Sequence, residues 1–156
     1  MRRRYRGGDG GNALVEFTFL AVVLMVPLLW FVLAIFQVER NVYGVTEAAR
    51  EAGRAFATTP GTDVDAARRR AEVAAALAIG GLGLDPGAAR VSYLPPGGRC
   101  GRDGEITPSL APGSAFTVCV RRTLRFPGVP GIVDGGNNTA YGQFRVRVDR
   151  YRPAAG

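Results

Sequence analysis

The stretch that decides the fold runs from Gly11 to Arg40: "GNALVEFTFLAVVLMVPLLWFVLAIFQVER". From Phe17 to Phe36 it is apolar but for Thr18, and Glu16 is the only charge between Ala13 and Val38. About 20 such residues cross a hydrocarbon core of roughly 30 Å. Pro27 lies inside the run, and membrane helices tolerate proline because neighbouring groups re-satisfy the freed backbone. A cleaved secretory signal usually has an apolar core of only about 7–15 residues, with a small-x-small site close behind it. The nearest good site of that kind, Ala55-Phe56-Ala57, lies far too deep. The run therefore reads as an anchor, a transmembrane helix over residues 12–38.

Ahead of it, residues 1–11 hold Arg2, Arg3, Arg4 and Arg6 against Asp9 alone. Basic residues flanking a span stay on the cytoplasmic side. This predicts a cytoplasmic leader whose four arginines meet inner-leaflet lipid, with everything beyond Val38 outside the cell membrane. All 20 basic residues are arginine and histidine is absent, so the net charge of +7 reflects GC-rich codon usage as much as selection. It is discounted as a sign of nucleic-acid binding, and no nucleic acid is expected as a partner.

Beyond the span, residues 39–61 read as an extracytoplasmic extension of the helix and a linker. Val38, Val42, Val45, Ala49, Ala52 and Phe56 recur at three- and four-residue steps and draw one apolar stripe. Such a Val/Ala stripe suits close packing, either against another helix or against this chain's own domain. "TTPGTD" (Thr58–Asp63) breaks the helix with Pro60-Gly61. A second helix is expected from Thr62 as N-cap, with Asp65 as capping-box partner, to Ile79 before Gly80-Gly81. Its run Arg68-Arg69-Arg70 reads as a solvated face.

From Ala88 the period changes to two. "ARVSYL", "SAFTVCVRRTLRF" and "YGQFRVRVDRY" read as three antiparallel strands with one polar face. In the middle one Phe116, Val118, Val120, Leu124 and Phe126 share the apolar side. In the last, Phe144, Val146 and Val148 alternate with Arg145, Arg147 and Asp149. The fold class expected is α+β: a long N-terminal transmembrane helix extending outside the membrane, then a small domain over 62–156 of one helix and about three antiparallel strands.

So small a core gains from a staple. Cys100 lies in the loop "PPGGRCGRDGE" and Cys119 projects from the polar face of the middle strand. An even cysteine count in an oxidising compartment suits a disulfide, the alternative being two unrelated thiols. Two cysteines without histidine supply too few ligands for a metal. General acid–base catalysis would rest on scattered carboxylates. There is no G-x-S-x-G elbow, and glycine-rich loops without lysine are not Walker-type phosphate loops. The expectation is a non-enzyme with no catalytic residues, no metal and no cofactor.

"GNALVEF" (Gly11–Phe17) resembles the processing motif of type IV prepilins. The wider pattern resembles the TadE-like family, pseudopilins of the Tad (Flp) pilus system. It consists of "ALVEF" opening the span, "EAAREAGRAFA" (Glu47–Ala57) after it, and "PGSAFTVCVRRTLRFPGVPGI" before a last strand. The resemblance implies cleavage after Gly11, Asn12 as the new N-terminus, and Glu16 and Phe17 as the rest of the recognition element. It implies a prepilin peptidase and other pilin or pseudopilin subunits as partners. It implies a single-pass membrane protein that assembles a pilus or secretion filament. Glycine lets a protease approach the backbone closely. A glutamate at the end of a span costs less than the roughly 2.5–3.5 kcal/mol of a mid-bilayer charge, yet a plain anchor need not carry it. A signal-anchored extracytoplasmic binding module with an incidental Glu16 is the alternative, and a membrane-bound enzyme the third reading.

Overall fold

A computed structural model describes residues 10–124 and 138–151. Along the chain lie α1 (Gly10–Ala57), α2 (Val64–Gly81), a 3-10 turn (Pro86–Ala88), β1 (Ala89–Leu94), β2 (Ala115–Thr123) and β3 (Thr139–Arg147). The strands form one antiparallel sheet in the order β1-β2-β3. The class is thus α+β, with the long apolar helix first and the sheet last. The leader arginines Arg2, Arg3, Arg4 and Arg6, the continuation of the middle strand to Phe126 and the segment through Ile132 lie outside the described residues.

The chain divides into two compact units, one up to Phe36 and one from Gln37 onward. The first contains the apolar part of α1, which is long and apolar enough to cross a membrane and has none of its length buried within the molecule. Phe17 is 72% exposed and Leu33 63%. The hydroxyl of Thr18 donates to the Leu14 carbonyl at 2.8 Å, so its polar group is satisfied inside the helix, as hydrocarbon surroundings require.

In the second unit the remainder of α1 is amphipathic. Its buried positions are Asn41, Gly44, Val45, Ala48, Ala49, Ala52, Gly53 and Phe56, an unbroken series of three- and four-residue steps. This resolves the two options for the stripe: it packs on the chain's own core, so segment 39–61 contributes to that core. The stripe also sits lower on the helix than the valine spacing predicts. Val38 and Val42 are exposed, and Asn41 and Gly44 take their place. Small residues let the sheet come close. A Cβ on Gly142 of β3 would collide with the backbone of Val45 and Thr46, and one on Gly53 would meet Val146 at 2.7 Å and Phe144 at 2.8 Å. At the centre of the core Phe56 of α1, Tyr93 of β1 and Phe116 of β2 form a triangle of rings with centroids 4.9–5.9 Å apart. Tilted and edge-on pairs at such distances are the favoured aromatic geometry.

Helix α2 buries a single row, Ala67, Ala71, Ala75 and Ile79. Its N-cap is Asp63, one residue later than expected. The Asp63 carboxylate accepts from the amides of Asp65 at 2.9 Å and Ala66 at 3.0 Å. Carboxylate caps satisfy the free first-turn amides and favour the helix dipole. The helix also passes through Gly80-Gly81 and turns out at Gly83, with φ +65°. There Arg40 of α1 donates from Nε at 2.8 Å, and from Nη2, to the Leu82 carbonyl, occupying an acceptor at the negative helix end. The arginine run is not one solvated face. Arg68 lies 5.6 Å over the Tyr93 ring, Arg69 is 3.9 Å from Asp63, and Arg70 is exposed.

Candidate functional site

Three features stand out: the head of α1, the cysteine loop, and a groove lined by arginines.

At the head, α1 already begins at Gly10, so the Gly11–Asn12 bond lies in the first helical turn. First-turn amides have no intrahelical partner. Two consecutive glycines each lower helix stability by about 1 kcal/mol relative to alanine. Opening this turn to an extended form is therefore cheap. Glu16 and Phe17 follow on the same helix, both exposed.

Cys100 and Cys119 form a disulfide, with Cα atoms 5.7 Å apart. The face from which Cys119 projects is not the open polar one that alternation predicts. Thr117 is 1% exposed and Cys119 2%, because the loop after β1 lies across them. The Gly97 amide donates to the Thr117 hydroxyl at 3.1 Å, and the Ile106 amide to the Tyr93 carbonyl at 2.8 Å. Within the loop, the Arg99 amide donates to the Asp103 carboxylate at 2.6 Å. From Phe116 to Val120 the middle strand is consequently buried on both sides.

The groove, of about 720 Å³, is lined by Gln37 and Asn41 of α1, Asp85, and Arg90, Arg121 and Arg122 of the sheet. Sheet register places Arg90 of β1 directly opposite Arg121 of β2, with Tyr141 of β3 beyond. Like charges directly opposed across strands are destabilising. Arg122 is held in place: it donates from Nη1 to Asn41 Oδ1 and from Nε to the Asp85 carbonyl at 3.4 Å. Asn41 is 6% exposed, and its amide donates to the Gln37 carbonyl at 2.6 Å. The Asp85 carboxylate accepts from the Gly87 amide at 2.9 Å. Among the described residues no carboxylate lies within ion-pair distance of the three groove arginines. The groove was not legible in the sequence. Arg90 and Arg121 sit 31 residues apart, and the β1–β2 register brings them together on the sheet face that carries Cys119, while Arg122 points to the α1 side.

Among the described residues no cluster of three or more histidine, cysteine or acidic groups is placed to hold a metal ion. No protein-family model, curated protein or solved structure matches this chain.

Proposed function

We propose that this protein is a membrane-anchored minor pilin of the TadE-like kind, whose leader a prepilin peptidase removes after Gly11 and whose domain stands outside the cell membrane in a pilus or secretion filament. The observation that carries the reading is Glu16: a carboxylate at the head of an apolar helix, preceded by two glycines that loosen the first turn. An ordinary anchor gains nothing from that arrangement.

The chemistry suggests what the carboxylate does. Cleavage exposes an α-amine on Asn12, whose typical pKa of about 7.7–8.0 leaves it mostly protonated near neutrality. When apolar helices bundle, an unpaired ammonium in low-dielectric surroundings is costly. Glu16 of a neighbouring subunit can pair with it, and only at the axial offset that brings the charges together. Its own Glu16, one turn along, competes for the same amine and carries no assembly information.

Co-expression with a prepilin peptidase followed by N-terminal sequencing tests the reading. The expected mature chain begins at Asn12; one that retains Arg2 to Arg6, or is cut after Ala57, refutes it and leaves the signal-anchored binding module. Glu16→Gln then separates processing from assembly. The variant should be cleaved and inserted but fail to crosslink to other pilin subunits. Normal association would remove the carboxylate from the assembly mechanism.

A further inference from the structure

We infer that the free edge of β3 accepts an extended acidic segment of a partner polypeptide as a fourth strand of the sheet. Residues opposite one another in antiparallel strands alternate between pairs that exchange hydrogen bonds and pairs that do not. At the two ends of the β2–β3 ladder the Leu124 amide donates to the Asn138 carbonyl at 2.7 Å and the Val148 amide to the Ser114 carbonyl at 2.9 Å. The register between them is unbroken, so the even-numbered residues of β3 bond to β2. Tyr141, Gln143, Arg145 and Arg147 therefore turn their amides and carbonyls away from the sheet, and these groups have no partner among the described residues. All four side chains are exposed, as is Phe144 between them. The opposite edge is partly closed. On β1 the Tyr93 carbonyl accepts from the Ile106 amide at 2.8 Å, and the Ala89 carbonyl from Arg90 Nη1 at 3.4 Å. β3 is a nine-residue strand with neither proline nor bulge to blunt it, and only its arginines guard it against indiscriminate pairing.

Sterics and charge choose the occupant. Helix α1 packs directly on the inner face of β3: the Val45 backbone lies against Gly142, and Gly53 against Phe144 and Val146. A second copy pairing through the same edge would set its own α1 over a strand only about 4.8 Å away, whereas packed helix axes stay about 8–10 Å apart. A single extended segment brings no helix with it. Arg145 and Arg147 stand on the outer face, where β2 places Thr117 and Ala115 opposite them. Neither has a carboxylate within ion-pair distance among the described residues. Carboxylates directly across from them on an added strand form favourable pairs, while a basic strand is repelled. The intervening positions of that strand lie beside Phe144 and Val146 and favour apolar side chains. Backbone hydrogen bonds then supply the affinity and the alternate side chains the specificity.

The test uses the full-length chain in neutral detergent and a blocked, fluorescently labelled peptide of alternating glutamate and valine, as long as β3. Fluorescence anisotropy reads binding, and amide hydrogen exchange followed by nuclear magnetic resonance reads its place. The peptide should bind and slow exchange at Tyr141, Gln143, Arg145 and Arg147. Two controls separate strand addition from attraction between charges. The same peptide N-methylated at alternate residues on its pairing edge keeps every charge and should not bind. A peptide with lysine in place of glutamate should not bind either. Gln143→Pro removes one outward amide without touching the β2 ladder and should abolish binding. Arg145→Gln with Arg147→Gln should weaken it about fivefold, whereas Arg69→Gln with Arg70→Gln removes the same charge from α2 and should leave it intact. Equal binding of the methylated and unmethylated peptides would overturn the proposal, and that readout does not depend on the folding of any variant. Failure of the acidic peptide to bind, or protection elsewhere than at the four outward amides, would overturn it as well. Equal losses in the two double variants would reduce the effect to net charge and overturn the assignment to this edge.

Discussion

The two halves of α1 present different surfaces. Up to Phe36 its apolar side chains are large, point in every direction and stay exposed. Leu14 is 71% exposed and Phe31 59%. From Asn41 to Phe56 the apolar surface narrows to one stripe, and its members are mostly glycine, alanine and valine. Val45, Ala48, Ala49, Ala52 and Phe56 are all fully buried. A helix that is apolar all round needs a hydrocarbon environment or a surrounding bundle, whereas a stripe needs one partner surface. Residue size then says how close that partner comes. A glycine on the sheet lets the two backbones meet, as Gly142 does against Val45, and Gly53 on the helix makes room for Val146 and Phe144.

The sharpest way to break this comparison is to truncate the same residue type in both halves. Phe56→Ala opens a cavity in the ring triangle and should destabilise the domain by about 4 kcal/mol. Phe31→Ala removes a side chain with no core around it and should change domain unfolding by less than about 0.5 kcal/mol. Chemical denaturation of the full-length protein in detergent, followed by near-ultraviolet circular dichroism, checks both. Similar losses would mean that the two halves share one core.

The staple comes next. Cys119→Ser should destabilise the domain by about 3 kcal/mol, the value expected for a closed loop of this size, and reductant should lower the wild-type midpoint similarly. Membrane extraction behaviour should not change, because the apolar half of α1 takes no part in the loop. Smaller again is overpacking. Ala52→Leu pushes a larger side chain into the close helix–sheet contact and should cost about 2 kcal/mol, while Ala21→Leu should leave domain unfolding unaffected.

The smallest effect concerns Tyr93. Burial outweighs the nearby Arg68 charge and pushes its phenol up from 10.0 to about 12. The folded state thus holds the proton more tightly than the unfolded one. This contribution to stability is complete below pH 10 and disappears as the pH rises toward 12. Tyr93→Phe should remove that part of the alkaline decline. At neutral pH it should shift stability by no more than about 1 kcal/mol, since the hydroxyl is buried without a hydrogen-bond partner among the described residues.

Much of the architecture was legible from periodicity. The switch from an all-round apolar run to a stripe, and then to alternation, separates span, helix and sheet without any tertiary knowledge. What escaped has common physical causes. Val38 and Val42 look like core residues by hydropathy, yet positions packed tightly on neighbouring side chains select small size, so Gly44, against Leu84, and Gly53, against Val146 and Phe144, mark the stripe better. Alternation assigned Thr117 and Cys119 to a solvated face because it counts one sheet face and cannot see a loop folded over the other. The N-cap shifted from Thr62 to Asp63 because adjacent capping residues compete, and sequence alone does not decide between them. The Arg90–Arg121 pair depends on strand register, which is a long-range property. The head of α1 is the reverse case: Gly11, Asn12, Glu16 and Phe17 fall within one seven-residue stretch, so no long-range contact is needed to see them together.

The disulfide also makes the finished domain a record of where it folded. In the orientation proposed, Cys100 and Cys119 reach an oxidising compartment and the loop is locked over β2. A copy inserted the other way round would keep both thiols in the reducing cytosol. It would have the same sequence and the same helix but a weaker domain, opening more often and meeting cytosolic proteases with its middle strand uncovered. One covalent bond would thereby bias degradation toward molecules delivered to the wrong side, a form of quality control for topology that needs no dedicated recognition site.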